Sequence, residues 1–285
     1  MRDDLDHYID AVEHLPTAPV VMVKLIALFR EPECDLDEVV NLLSVDPALT
    51  AEVLRLCNSA HFGADEAVVD VFDAVMRLGF YEVYRRALAM FSLKTMSAGT
   101  AGDSISVDQL WRHSAATAVL SGMIAKQTGD SEGAAYTAGL LHDIGKLVLA
   151  SAEGPKYGAL IRQSGGFGRG LEAVEKAEFG FAHGAVGARL LARWGVPLDI
   201  STPVSLHHDQ GWPEPFARMS AIVSLGNIAA HRLDQGAGEQ PQDLPDATPA
   251  VQALQIPIDQ LADLVQRAEE EVAKLEGLFP VATAK

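Results

Sequence analysis

Residues 136–148 read Tyr-Thr-Ala-Gly-Leu-Leu-His-Asp-Ile-Gly-Lys-Leu-Val. His142 and Asp143 thus fall inside an otherwise apolar stretch, where ionisable groups are costly unless satisfied. Lys146 follows His142 by four residues and Asp143 by three, which puts it on the same side of a helix. An imidazole, a carboxylate and an ammonium buried this close together must pair, bind a metal or shift their protonation. Further histidines fall in helical segments: His113 in Leu-Trp-Arg-His-Ser, His183 in Phe-Ala-His-Gly-Ala-Val-Gly, and the pair His207-His208 after Pro203. Imidazole nitrogens and carboxylate oxygens suit zinc, iron or manganese, and helical bundles build such sites from several inward faces. The alternative needs no ion: His142 and Asp143 form a hydrogen-bonded polar core with Lys146, and His183, His207 and His208 are partly exposed helix-end side chains.

The elements that would position these groups read as helices. Val20, Val23, Leu25, Ile26 and Phe29 approximate a helical stripe that stops before Pro32, and 35–43 repeats the pattern. Asp46 and Pro47 suit the cap and first position of a helix carrying Leu49, Val53, Leu54 and Leu56, which ends in the turn Asn58-Ser59-Ala60-His61-Phe62-Gly63. Within that turn Asn58, Ser59 and His61 are read either as a partner-facing surface or as capping of the preceding helix. Segments 68–78 and 81–96 add two more helices. A small, polar stretch at 98–106 marks a junction. Residues 107–232 are helical again, punctuated at Gly129, Gly154-Pro155, Gly165-Gly166 and Pro213 to Pro215. Residues 234–250 read as an exposed linker. A last stripe of Ile258, Leu261, Leu264, Val265, Ala268, Val272 and Leu275 faces a Glu-rich side, and three heptads predict docking onto its own domain rather than a coiled coil. No period-2 series or internal repeat occurs, so the predicted fold is all-α. The expected organisation is a helical part at 1–100, a helical core at 101–233, and a linker with an amphipathic helix at 234–285.

Composition excludes several functions. Of 285 residues 48% are hydrophobic and 21% charged, an ordinary globular balance. Twenty-two cations against 39 anions leave a net charge of −17, which argues against nucleic acid and against an anionic membrane surface. A small anionic substrate stays open, because one metal ion can reverse the local potential. Cys34 and Cys57 are too few for a disulfide framework, and each reads as a small core residue. The acidic N-terminus is no secretory signal, and no apolar run is long enough for a membrane span. A cytoplasmic protein is expected.

The sequence resembles the HDOD family, the HD-related output domain of bacterial signalling proteins and a branch of the HD metal-dependent phosphohydrolase superfamily. Matching stretches are Leu15-Pro16-Thr17-Ala18-Pro19, Asp46-Pro47-Ala48-Leu49-Thr50, Leu56-Cys57-Asn58-Ser59-Ala60, a segment from Ala74 to Gly79, Leu110-Trp111-Arg112-His113-Ser114, Gly139-Leu140-Leu141-His142-Asp143-Ile144-Gly145, His183-Gly184-Ala185-Val186-Gly187, Trp194-Gly195-Val196-Pro197 and His207-His208. They run in family order from about residue 14 to 232. The resemblance implies an HD-like helical bundle with an additional N-terminal helical subdomain. It also implies a metal held by a histidine, an adjacent His-Asp and a distant aspartate. His113, His142 and Asp143 occupy three of those positions, and Asn227 stands in the fourth, where an amide offers an oxygen without the charge. His183, His207 and His208 match further metal-holding histidines of the related HD-GYP phosphodiesterases.

The expected function is therefore a non-catalytic signalling module acting through protein partners. No receiver, cyclase or transmembrane sensor is recognisable, so its input would come from a partner or a small ligand. The alternative is a metal-dependent phosphohydrolase acting on a nucleotide or cyclic dinucleotide. There His113, His142, Asp143, His183, His207 and His208 would hold one or two divalent ions (Fe, Mn, Zn or Mg), Asp143 would act in the catalytic centre, and Lys146 would neutralise phosphoryl charge.

Overall fold

The computed structural model describes residues 2–11, 20–31, 35–45, 47–58, 68–99, 104–166, 170–234 and 249–278. The expectations for Leu15 to Pro19, Cys34, Asp46, Ser59 to Gly63 and most of the 234–250 linker lie outside these residues. All regular structure among the described residues is helical. The chain forms two compact units, Thr17–Phe91 and Met1–Pro16 with Ser92–Lys285.

The smaller unit contains α2 (Val20–Phe29), α3 (Leu36–Ser44), α4 (Pro47–Cys57), α5 (Val71–Leu78) and the residues of α6 (Phe80–Gly99) up to Phe91. Asp35 caps α3 by accepting from Asp37 N–H, and Asp70 caps α5 by accepting from Phe72 and Asp73. Phe29 stacks on Tyr84 with ring centroids 4.2 Å apart. The Asn58 side chain bridges the two ends of its turn: Nδ2 donates to Leu54 and Val68 carbonyls, and Oδ1 accepts from Val68 N–H. That is the capping role among the two the sequence left open for this residue.

The larger unit is built around α7 (Val107–Thr128), buried on nearly every side, as a helix at the centre of a core must be. It packs against α8 (Glu132–Leu141), α13 (Ala217–Asp234) and α15 (Ile258–Leu278). Ile258 and Asp259 aside, α15 turns Leu261, Leu264, Ala268 and Leu275 inward, so this helix docks on its own unit. α9 (Ile144–Gln163) crosses α11 (His183–Arg193), and α11 packs on α12 (Leu198–Leu206). α10 (Gly170–Phe179) leads into α11, α14 (Pro249–Leu254) covers α13, and α1 (Arg2–Ala11) lies on α9 and α11. Asp6 pairs with Arg189 and Asp10 with Arg193, fixing α1 along α11.

Two local readings change. Gly154-Pro155 does not end a helix; α9 runs through it with a kink at Glu153 (φ −123°, ψ 21°), because Pro155 lacks the N–H that would complete the preceding turn. Nor do His142 and Asp143 sit within one continuous helix. α8 stops at Leu141, α9 starts at Ile144, and the pair forms the break between them.

Candidate metal centre

That break gives the site its geometry. Asp143 occupies the N-cap position of α9 with φ −99° and ψ 7°, yet its side chain makes no capping bond. The carboxylate is turned instead into the unit, where Asp143 is 1% exposed. Its two oxygens face different groups. Oδ2 lies 2.6 Å from Lys146 Nζ, 3.2 Å from His142 Nε2 and 3.8 Å from His113 Nε2. Oδ1 lies 3.2 Å from His183 Nε2 and 3.8 Å from His207 Nε2.

His142 and His207 are positioned by the same device. Each is the residue that caps the C-terminus of a helix, α8 and α12 respectively. Each donates Nδ1–H at 2.7 Å to the carbonyl three residues back, Gly139 or Val204. Carbonyls of the last turn have no intrahelical partner, so the rings satisfy them and are oriented in return. Nε2 is then left pointing into the cluster. His183 opens α11, and its Nδ1–H is held at 2.6 Å by Glu175 on α10. His183 Nε2 comes within 3.4 Å of His207 Nε2 and 3.2 Å of His208 Nε2. The helices are brought together by small residues: a side chain at Gly145 would strike the His183 carbonyl, and one at Gly139 would lie 2.8 Å from the Thr117 carbonyl.

Electrostatics divides the groups. Burial would raise Asp143, but His142, Lys146 and His183 hold it well below the usual carboxylate range. Burial keeps His142 below its ordinary value, against the pull of Asp143. His207 is driven well down by burial and by its histidine neighbours. His208 is pushed down to about 2 by burial and by His183. His183 goes the other way: burial lowers it, and the Glu175 carboxylate more than offsets this. The cluster is thus an ionised carboxylate with His142, His207 and His208 held neutral around it, while Glu175 favours the charged form of His183.

Every candidate metal ligand named from the sequence is found in one of two groups. The ligand atoms of His113, His142 and Asp143 lie within 4.8 Å of one another, and so do those of His183, His207 and His208. Asn227 also arrives, but its amide oxygen sits 2.9 Å from His113 Nε2. That bond engages the nitrogen through which His113 would ligate. The two halves therefore differ. In the half around Oδ2, Lys146 pairs with the carboxylate and His113 is engaged by Asn227. In the half around Oδ1, three imidazole nitrogens crowd together, His183 Nε2 lying 3.4 Å from His207 Nε2 and 3.2 Å from His208 Nε2, and Asp143 Oδ1 has no hydrogen-bond partner among the described residues. On the Oδ2 side, His142 Nε2 likewise has no hydrogen-bond partner among the described residues. His183 and His207 have Nδ1–H held by an acceptor and Nε2 turned toward an unpartnered carboxylate oxygen, with His208 Nε2 beside them, so the donor set fits one divalent ion next to Oδ1.

Three residues escaped the sequence reading. Glu175 is fully buried, and Tyr157 donates to it at 2.6 Å. His231, one turn after Asn227, stacks on His113 at 4.2 Å and is pushed down to about 3 by burial and by His113. Glu175 lies four residues after the buried Leu171, a spacing too slight to single it out among Glu172, Lys176 and Glu178. His231 left a signal, by its spacing from Asn227.

A sequence model of the HDOD domain matches residues 15–210. An HDOD domain protein of unknown function from Geobacter sulfurreducens is 23% identical, and its crystal structure aligns with a TM-score of 0.80 over 98% of each chain. A candidate phosphohydrolase from Shewanella amazonensis SB2B aligns at 22% identity and a TM-score of 0.67, covering 95% of this chain and 94% of that one. An uncharacterized protein of Treponema pallidum (strain Nichols) is 28% identical over 239 residues, 82% of this chain and 45% of its own length. The chain spans less than half the length of the curated relatives it matches. At such identities the solved structures establish the helical fold, and the chemistry rests on the side chains.

Proposed function

Because this chain belongs to the HDOD family, we propose that it is a signal-transduction module that acts through protein partners and does not turn over phosphoesters. The observation that carries this reading is the bond between His113 and Asn227. It removes one histidine and the fourth ligand position from the set that a hydrolytic centre of the HD type would use, and it replaces a negative charge with a neutral amide. Burial supports it as well: His113, His142, Asp143, Lys146, His183, His207 and Asn227 are all buried, and among the histidines named from the sequence for this cluster His208 alone is partly exposed. In this reading the histidines and Asp143 hold the ends of α8, α11 and α12 together, with or without one ion.

The test is a hydrolysis screen on the full chain with a generic bis-aryl phosphodiester, nucleotides and a cyclic dinucleotide, after loading with Mn, Fe, Zn or Mg and measuring metal content. No turnover is the expected result. Turnover that disappears in both His142→Ala and Asp143→Ala would overturn the proposal.

One observation favours the second reading, a metal-dependent phosphohydrolase: His183, His207 and His208 converge, and the first two of them lie 3.2 and 3.8 Å from the unpartnered Asp143 Oδ1. A divalent ion bound there would supply a water acidified to near neutral pH. His183, His207, His208 and Asp143 would hold it, and Lys146 would leave Asp143 to bind a phosphoryl oxygen.

A further inference from the structure

Histidines at a helix C-terminus find an acceptor for Nδ1–H in their own last turn, as His142 does at Gly139 and His207 at Val204. His183 stands at the opposite end of a helix, where only N–H groups are exposed. An acceptor for its ring has to come from elsewhere. It comes from Glu175, whose two carboxylate oxygens are both engaged. Oε2 accepts His183 Nδ1–H at 2.6 Å and the His183 main-chain N–H at 2.9 Å. Oε1 accepts the Tyr157 hydroxyl at 2.6 Å. Ala182, the N-cap residue of α11, has no side chain that could cap it, so Glu175 also takes over the cap and sets its charge against the positive end of the helix. One carboxylate thereby fixes where α11 begins and which way the ring at that point faces. With Nδ1 committed to Glu175, Nε2 is aimed at Asp143 Oδ1, His207 and His208.

We propose that Glu175, braced by Tyr157, is the positioning residue of a divalent-cation site formed by His183, His207, His208 and Asp143 Oδ1. Accepting the Nδ1 hydrogen holds the His183 tautomer whose Nε2 lone pair faces the ion. The proposal rests on the cluster's fit to such an ion and asks nothing of catalysis. Partners that orient a ligating histidine are worth 10–100-fold in metal affinity.

The experiment uses the full chain, stripped of metal and titrated with Zn2+ against a chromophoric chelator, with His207→Ala as the ligand-loss control. Wild type is expected to bind one Zn2+. Glu175→Ala should weaken binding by about 10–100-fold, Glu175→Gln should recover part of that because its amide oxygen still accepts from Nδ1, and Tyr157→Phe should cost less than either. Nitrogen-15 spectra of labelled histidine in the Zn2+-loaded protein supply a readout that packing alone would not move. His183 should show Nδ1 protonated in wild type and lose that signature in Glu175→Ala, while circular dichroism confirms that the variant is folded. If wild type binds no Zn2+, the cation-site reading falls and takes this proposal with it. If wild type binds one Zn2+ and Glu175→Ala binds it equally well with an unchanged ring signature, the positioning role alone is overturned.

Discussion

At Asp143, burial and pairing oppose each other, and pairing prevails. The carboxylate is 1% exposed and rests on an ammonium that is equally buried, 2.6 Å away. Taking away one member of such a pair leaves an uncompensated buried charge, which costs about 3–5 kcal/mol. Lys146→Met should therefore lower the thermal midpoint by roughly 10 °C at 2–4 °C per kcal/mol, and an unchanged midpoint would show that Lys146 is not what neutralises Asp143. Position 227 makes the complementary test. Asn227→Asp returns a carboxylate to His113 and should add Zn2+ binding in the His113 half to the one ion expected beside Oδ1, read in the same chelator competition; stoichiometry and affinity equal to wild type would mean that the amide is not what weakens the His113 half. His142, Asp143 and Lys146 were legible in the sequence because charge inside an apolar run has no inexpensive explanation. Glu175 was not, because a glutamate on a short helix bearing Glu172, Lys176 and Glu178 looks like solvated surface until α9 and α11 close over it.

The helices matter here chiefly through their ends and their crossings. His142 and His207 close α8 and α12, His183 opens α11, and Asp143 stands at the start of α9, so four helix termini meet in one place. Periodicity located those helices but not their ends. The 136–148 segment is apolar throughout, and nothing in its spacing announces a break at 142–143. Nor does spacing reveal that Gly145 and Gly187 meet backbone to backbone where α9 crosses α11. Gly145→Ala would drive a methyl into the main chain of His183, which cannot swing aside as a flexible side chain could. A loss of about 1–3 kcal/mol or more is expected, read as a lower thermal midpoint together with weaker Zn2+ binding. A variant with both at wild-type values would show that the crossing has slack. Docking of α15 was legible, because its stripe keeps helical period through Leu275. That attachment is apolar: Leu261 is fully buried, so Leu261→Ala should cost about 2–5 kcal/mol. Arg112, paired with Glu276 at 54% and 31% exposure, should cost less than about 1 kcal/mol when changed to Ala. Equal losses in the two melts would contradict an apolar attachment.

Across the whole molecule these groups set how stability responds to acid. His142, His207, His208 and His231 are all held below the ordinary histidine value, His208 at about 2 and His231 at about 3. A histidine lowered in this way is neutral in the folded chain and takes up a proton on unfolding once the pH drops under about 6.5. Its contribution is complete above that pH and shrinks as the pH falls, by about 1.4 kcal/mol per unit for each group. His183 is raised, so its contribution has the opposite sign: it is complete below about pH 6.5 and is lost as the pH rises through its folded value. Asp143 and Glu175 are depressed, and what they contribute is lost only below about pH 4. Between pH 7 and 5 the four lowered histidines outnumber the one raised, and stability should fall with pH. A competing effect runs the other way, since the net charge of −17 shrinks in acid and relieves self-repulsion. Surface charges are screened over about 8 Å at 0.15 M salt, whereas buried imidazoles are not, so the histidines should prevail in a salted buffer. With a chelator present, the thermal midpoint should decline steadily from pH 7 to 5, and His208→Gln should flatten the decline by removing one proton-uptake site. A midpoint that stays level or rises over that range would mean that the imidazoles are not held neutral within the folded chain.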